Sequence, residues 1–174
     1  MSVAHCLEDY LYDAHVDYKV VSHAPTQTAF DSAHSAHIPT SKMVKAILLR
    51  ERHSERYCMA LIPASHKLKI AWVNGALKKD LVLAQEEEIS SQFTDCEFGA
   101  IPGFGQAYDM EMIWDDELEQ QSQLYFEAGS HKELIQIDNY EFGLLFEQYP
   151  HGVISMSHEN YSALHADEVR DGLH

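Results

Sequence analysis

Lys45 is a cation inside an apolar run, Met43-Val44-Lys45-Ala46-Ile47-Leu48-Leu49. A strand exposed on one face alternates, whereas a strand covered on both faces is apolar throughout, so the run points to a central strand. In such a strand Met43, Lys45, Ile47 and Leu49 share one face, and Val44, Ala46 and Leu48 share the other. Lysine is seldom fully buried without a partner, because desolvating its charge costs several kcal/mol. Two readings stay open. Either the strand starts at Ala46 with Lys45 at its wet end, or Lys45 lines a pocket and meets an anion there.

Other residues could contribute chemistry. The loop Gly99-Ala100-Ile101-Pro102-Gly103-Phe104-Gly105 holds three glycines but is neither GxGxxG nor GxxxxGK. Strand-like Met110–Trp114 follows it instead of a helix, which excludes dinucleotide and P-loop readings. It is an ordinary turn, or a loop whose bare N–H groups approach a ligand. Ala128-Gly129-Ser130-His131 lies between two expected strands, where a turn explains the glycine and a hydroxyl and imidazole could face a pocket. Ser130 and His131 are adjacent in the chain, which gives no support to a serine-hydrolase triad. Tyr18, Thr26 and Thr28 are candidate pocket polars. His34 and His37 stand at i,i+3 on an expected helix, but without HExxH, a cysteine pair or a clear third ligand no metal is assigned. No cofactor is expected.

The chain has 174 residues, 45% of them hydrophobic, which suits one globular domain with a sizeable core. No run of 18 apolar residues predicts a transmembrane helix, and the N-terminus lacks a basic-then-apolar signal pattern. Cys6, Cys58 and Cys96 are scattered and odd in number, which suits a reducing cytoplasm. The net charge of −16 argues against a nucleic-acid partner, but nine of the 12 Lys/Arg lie between residues 42 and 79, opposed only by Glu51 and Glu55. A basic window on an acidic body can hold one polyanion and repel others.

The elements that must position these residues follow from periodicity. Leu7, Tyr10, Leu11 and Ala14 at helical spacing predict a helix over 4–14. Residues 18–22 read as a strand, and Thr28–His37 as a second helix ended by Pro39. The strand 43–50 turns through Glu51–Ser54 and returns as 56–63. A short helix is expected within 65–77, ended by Asn74-Gly75. Leu81–Ala84 reads as a buried strand and Gln85–Phe93 as a helix with acids in its first turn. Strands at 111–114, 124–127 and 134–137 precede a closing helix over 140–148. After Pro150 the pattern weakens into a polar tail.

In this order the motifs resemble the YbaK/prolyl-tRNA-synthetase-associated domain family of free-standing aminoacyl-tRNA editing deacylases. The likeness rests on Tyr-Lys-Val-Val-Ser-His (18–23), Val44-Lys45-Ala46-Ile47-Leu48-Leu49 and Ala60-Leu61-Ile62-Pro63-Ala64. It continues with Cys96–Gly105 and Phe126-Glu127-Ala128-Gly129-Ser130-His131, and covers roughly residues 4–147. The resemblance implies an α+β fold, a single domain with a mixed, curved central β-sheet flanked by helices. Residues 1–148 would form the editing domain and 149–174 an extension without a recognised counterpart. Many relatives carry Pro-Pro where this chain has Pro102-Gly103.

The resemblance also implies an activity: hydrolysis of a wrongly attached small amino acid from tRNA, typically proline tRNA. The partners would be a mischarged tRNA and an aminoacyl-tRNA synthetase, with no membrane. Lys45 takes the place of the family's essential lysine and would anchor the terminal nucleotide. Gly99 and Pro102 match its Gly-x-x-Pro loop, and His131 a position with histidine in part of the family. Backbone N–H groups around Gly99–Ala100 and Gly129–Ser130 would face the scissile carbonyl. Tyr18, Thr28, Ala100, Ile101, Pro102 and Ser130 would contact the substrate, and Lys67, Lys69, Lys78 and Lys79 the tRNA. No dedicated base is evident, which fits assistance by the substrate's own ribose hydroxyl. The rival reading is a non-catalytic module of the same fold that binds a nucleotide or a protein in regulation.

Overall fold

The computed structural model of the chain describes residues 3–171, with side chains to residue 165. Helix α1 (His5–Asp13) buries Leu7 and Leu11, the residues its periodicity singles out. Strand β1 (Lys19–Ser22) leads to helix α2 (Ala29–Ser35), which Thr28 caps by accepting from the Asp31 N–H. Strand β2 (Met43–Glu51) returns antiparallel as β3 (Tyr57–Pro63), as the run of apolar residues predicts.

Strand β4 (His66–Leu68) precedes helix α3 (Ile70–Leu77). The sequence places the end of α3 at Asn74-Gly75, but the helix continues to Leu77 and stops at Lys78 in the left-handed region. Asn74 is not a cap: its side chain accepts from the Leu81 N–H at 2.8 Å and donates to the Leu81 carbonyl at 3.2 Å. It thereby fastens α3 to β5 (Leu81–Leu83). That strand is only partly covered, with Leu83 58% exposed. Helix α4 (Glu86–Gln92) carries a capping box between Gln85 and Glu88.

Strands β6 (Glu111–Asp115), β7 (Gln123–Glu127) and β8 (Glu133–Asp138) and helix α5 (Asn139–Phe146) stand within a residue or two of their expected ranges. The segment after Pro150, where the sequence pattern weakens, is structured. Residues His151–Gly152 form β9, Ser155–Ser157 form β10, and His158–Asp171 form α6. Strands of two and three residues carry no readable periodicity. They are fixed instead by the buried Asp115 carboxylate, which accepts from the Ile154 N–H at 3.0 Å and the Ser155 hydroxyl at 2.7 Å.

The result is a mixed sheet in the order β1-β8-β7-β2-β3-β6-β9, flanked by helices, with β5 added to β2; β10 and β4 form a separate pair. One face of the sheet is continuously covered. Val44, Leu48, Leu61, Trp114 and Phe126 meet Leu7 and Leu11 of α1, Phe142 and Phe146 of α5, and Phe104 of the glycine loop. The Phe104 and Phe126 rings lie 4.5 Å apart. Each such aromatic contributes about 1.5–3 kcal/mol by leaving water. The other face is covered in two separate patches. Val73 of α3 packs on Leu49, Ala60 and Ile62, while Ala33 of α2 packs on Met43 and Leu134.

Candidate active site

Lys45 lies between those two patches. Its strand already runs from Met43, so Lys45 is not at the strand end, yet its side chain is exposed. The strand-end reading therefore fails; Lys45 does line a cavity, with its side chain exposed instead of buried. The side chain escapes the desolvation cost because the sheet's second face is bare there. No ion pair among the described residues uses Lys45.

The sheet is also open on one edge at this point. Strand β7 pairs with Met43 and Val44, and β5 pairs with Leu49 to Glu51. Both lie on the same side of β2, opposite β3, and neither pairs with Lys45–Ile47. On this edge the Lys42 and Leu48 carbonyls accept from Tyr125 and Ala84, so even-numbered peptide groups point this way. The Ala46 N–H and C=O therefore face the gap. A cavity of roughly 250 Å³ fills it, walled by Lys45 and Ala46, by Thr28 and Ala29 of the α2 start, and by Gly99, Ile101 and Glu127.

Gly99 is required by its geometry. It has φ +82°, and a side chain there would begin 3.3 Å from the Gln27 carbonyl oxygen. The same point lies 3.6 Å from the His131 ring, so His131 stands behind the loop. Glu97 clasps the two turns together. Its N–H donates to the Gly129 carbonyl at 2.7 Å, and its carboxylate accepts the His131 N–H at 2.7 Å. Sequence reasoning assigned Glu97 nothing. Beyond the loop lies a second cavity of roughly 280 Å³, which shares Gly99 and Ile101 and adds Phe98 and Cys96. Burial pushes the Cys96 thiol up to about 12, so it offers no thiolate nucleophile there.

Several expected site residues hold the framework. The Ala100 N–H donates to the Glu97 carbonyl at 3.1 Å and closes the turn. Pro102 is buried, and a side chain at Gly103 would begin 2.8 Å from the Phe126 ring. Gly103 thus admits the loop to the core beside Phe126. Gly129, at φ +96°, packs on Ala4, and its neighbour Ser130 is 5% exposed. The Thr28 hydroxyl both caps α2 and donates to Asp31 at 2.7 Å. Tyr18 precedes β1, three strands from β2 in the sheet order, and is not part of the cavity wall.

Glu127 is the residue that sequence reasoning passed over. It closes β7 one step beyond the Val44–Phe126 pair, beside Lys45 across the gap. Ser32 donates to its Oε1 at 2.7 Å, and the Ser32 and Thr26 hydroxyls are 2.7 Å apart. Its Oε2 is buried without a partner among the described residues. Burial pushes this carboxyl up to about 7, against a smaller opposing effect of the Ser32 hydrogen bond. The available signal was a carboxylate in the otherwise apolar Leu124-Tyr125-Phe126-Glu127-Ala128.

A family model for the aminoacyl-tRNA editing domain matches residues 23–142. The chain belongs to the aminoacyl-tRNA editing domain family. Solved structures share the fold at low identity. One, named as a candidate trans-editing enzyme for prolyl tRNA synthetase, is 17% identical with TM-score 0.74, covering 88% of this chain and 97% of that one. The hypothetical protein APE2540 is also 17% identical, with TM-score 0.76, covering 87% of this chain and 100% of its own. A candidate signal transduction protein from Marinobacter aquaeolei VT8 has TM-score 0.69 at 14% identity; the match covers 87% of this chain but 30% of that longer one. No curated protein matches.

Within this editing domain the four lysines expected at tRNA stand at opposite ends of α3. The Lys67 and Lys69 ammoniums lie 4.1 and 5.3 Å from the centre of the Tyr161 ring of α6. Lys79 pairs with Glu111, and Lys78 is exposed at the helix end. The family match stops at 142, so the Tyr161 contact belongs to the segment beyond it.

Proposed function

We propose that this editing domain acts in trans as a hydrolase that removes a wrongly attached small amino acid from tRNA, with proline tRNA as the carrier. The observation that carries this reading is the uncovered Lys45 beside the sheet opening, facing a cavity walled by the Gly99 loop. Lys45 binds the phosphate or ribose region of the terminal nucleotide and orients the ester. Phe30 and Phe98, 51% and 58% exposed, are chain neighbours of the wall residues Ala29 and Gly99 and offer rings for a base.

Water adds to the ester carbonyl, the acyl–oxygen bond breaks, and the amino acid leaves with the tRNA hydroxyl restored. The ribose hydroxyl next to the ester takes the water's proton and passes its own to the departing ester oxygen. The Ala46 N–H, which faces the gap, is the best-placed donor for the developing oxyanion; one such donor is worth about 100-fold or more. The tight cavity excludes larger amino acids by size, which hydrophobic contact alone discriminates weakly. His131 holds the Gly99 loop from behind.

The reading is tested by offering the protein tRNAs charged with alanine, serine, cysteine, threonine and proline. Release of one or more of these amino acids is expected. Inactivity on all of them, with tight binding of a nucleotide or protein ligand, would replace the enzyme by a regulatory module.

A further inference from the structure

We propose that Glu127 reads the amino group of the bound ester: its carboxylate receives the α-ammonium while Lys45 receives the phosphate. The site then takes aminoacyl esters with a free amine and rejects N-acylated ones. This rests on the cavity being the ester-hydrolysing site.

Three observations support the assignment. First, Glu127 is 5% exposed, yet one of its oxygens has no partner among the described residues. A buried carboxylate with one oxygen unsatisfied is costly, which makes one beside a cavity a candidate for ligand contact. Second, the hydrogen-bond chain has a fixed direction. Ser32 donates to Glu127, so Ser32 must accept from Thr26. That chain ends at the carboxylate and supplies one donor to it, leaving lone pairs for a cation. Third, Lys45 and Glu127 are neighbours that do not pair. One side chain reaches into solvent between the two covered patches, and the other turns toward α2.

A ligand bearing an anion at one end and a cation at the other satisfies both. The aminoacyl end of tRNA is such a ligand, with phosphate, ribose, ester and ammonium in that order. Besides Lys45 and Glu127 the wall carries no charged side chain; Gln27 adds only a neutral amide. Glu127 is its sole carboxylate, Ala29, Ala46 and Ile101 are apolar, and the Thr28 hydroxyl donates to Asp31. An N-acyl group removes the cation that Glu127 would receive.

The test compares a free amine with an N-acetylated one, in hydrolysis and in binding. Hydrolysis uses the aminoacyl-tRNA that wild type turns over and its N-acetyl derivative. Binding uses amide analogues of aminoacyl-adenosine monophosphate, with and without the acetyl group, followed by calorimetry. Wild type should favour the free amine at least tenfold in both, and Glu127→Gln should reduce that ratio to near one, the larger loss falling on the free amine. Equal wild-type binding of the two amides, or of neither, overturns the proposal without any variant. An equal loss of turnover on both substrates by Glu127→Gln also overturns it, because that marks a general base. Preference for the free amine in binding, with no aminoacyl-tRNA hydrolysed, upholds the ammonium site and removes the hydrolase reading instead.

Discussion

The two faces of strand β2 are built differently. Val44 and Leu48 enter one continuous core, whereas Lys45 and Ile47 lie on a face whose cover is divided between α2 and α3. The continuous face provides stability and the divided face provides access. A lysine in mid-strand costs little on the divided face, because its ammonium stays hydrated. The same strand therefore holds the fold on one side and the candidate chemistry on the other.

Substitutions on the two faces should differ in their cost to stability. Phe126→Ala, on the continuous face, is expected to lower unfolding free energy by about 3–5 kcal/mol in denaturant titrations. Lys45→Ala should change it by less than about 1 kcal/mol. A similar cost for both would show that the divided face is also structural.

Glu127 gives the next largest effect. Its carboxyl rises from an ordinary 4.5 to about 7 on folding, mainly through burial. The folded chain then binds the proton more tightly than the unfolded one. The stability this contributes is complete below pH 4.5 and is lost as pH rises through 7. The loss is on the order of 3 kcal/mol at most. Glu127→Gln should flatten that slope in thermal unfolding measured across this range; an unchanged slope would assign it to other groups.

Gly99→Ala is expected to cost about 1–2 kcal/mol in the same assay, because its backbone lies in the left-handed region. The smallest effect concerns the α3 lysines. Neutralising Lys67, Lys69, Lys78 and Lys79 together should weaken tRNA binding and flatten its salt dependence. The change will fall short of four full phosphate contacts, since Lys67 and Lys69 lie over Tyr161 and Lys79 pairs with Glu111. An unaltered salt slope would remove the ends of α3 from the tRNA path.

The central strand, its hairpin partner and the order of the major elements were legible because apolar runs and periodicity are local signals. Lys45 was legible as an anomaly, but its exposure was not. Exposure depends on which helices cover the second face and on β7 and β5 leaving Lys45–Ile47 unpaired, both long-range facts. The glycine loops were visible as motifs, yet only tertiary contacts separate Gly99 at the cavity from Gly129 packed on Ala4. Glu127 was hidden because one carboxylate in a strand carries no periodic signature. The C-terminal strands were missed because Asp115, far away in sequence, organises them.

Lys45, on an otherwise bare strip of the sheet, is the proposed anchor for the substrate. Single-turnover hydrolysis of a mischarged tRNA by Lys45→Ala, with its melting temperature recorded alongside, tests this most directly. A loss of about 100-fold or more in rate is expected, with a melting temperature within about 2 °C of wild type. Hydrolysis at the wild-type rate by the folded variant would contradict it.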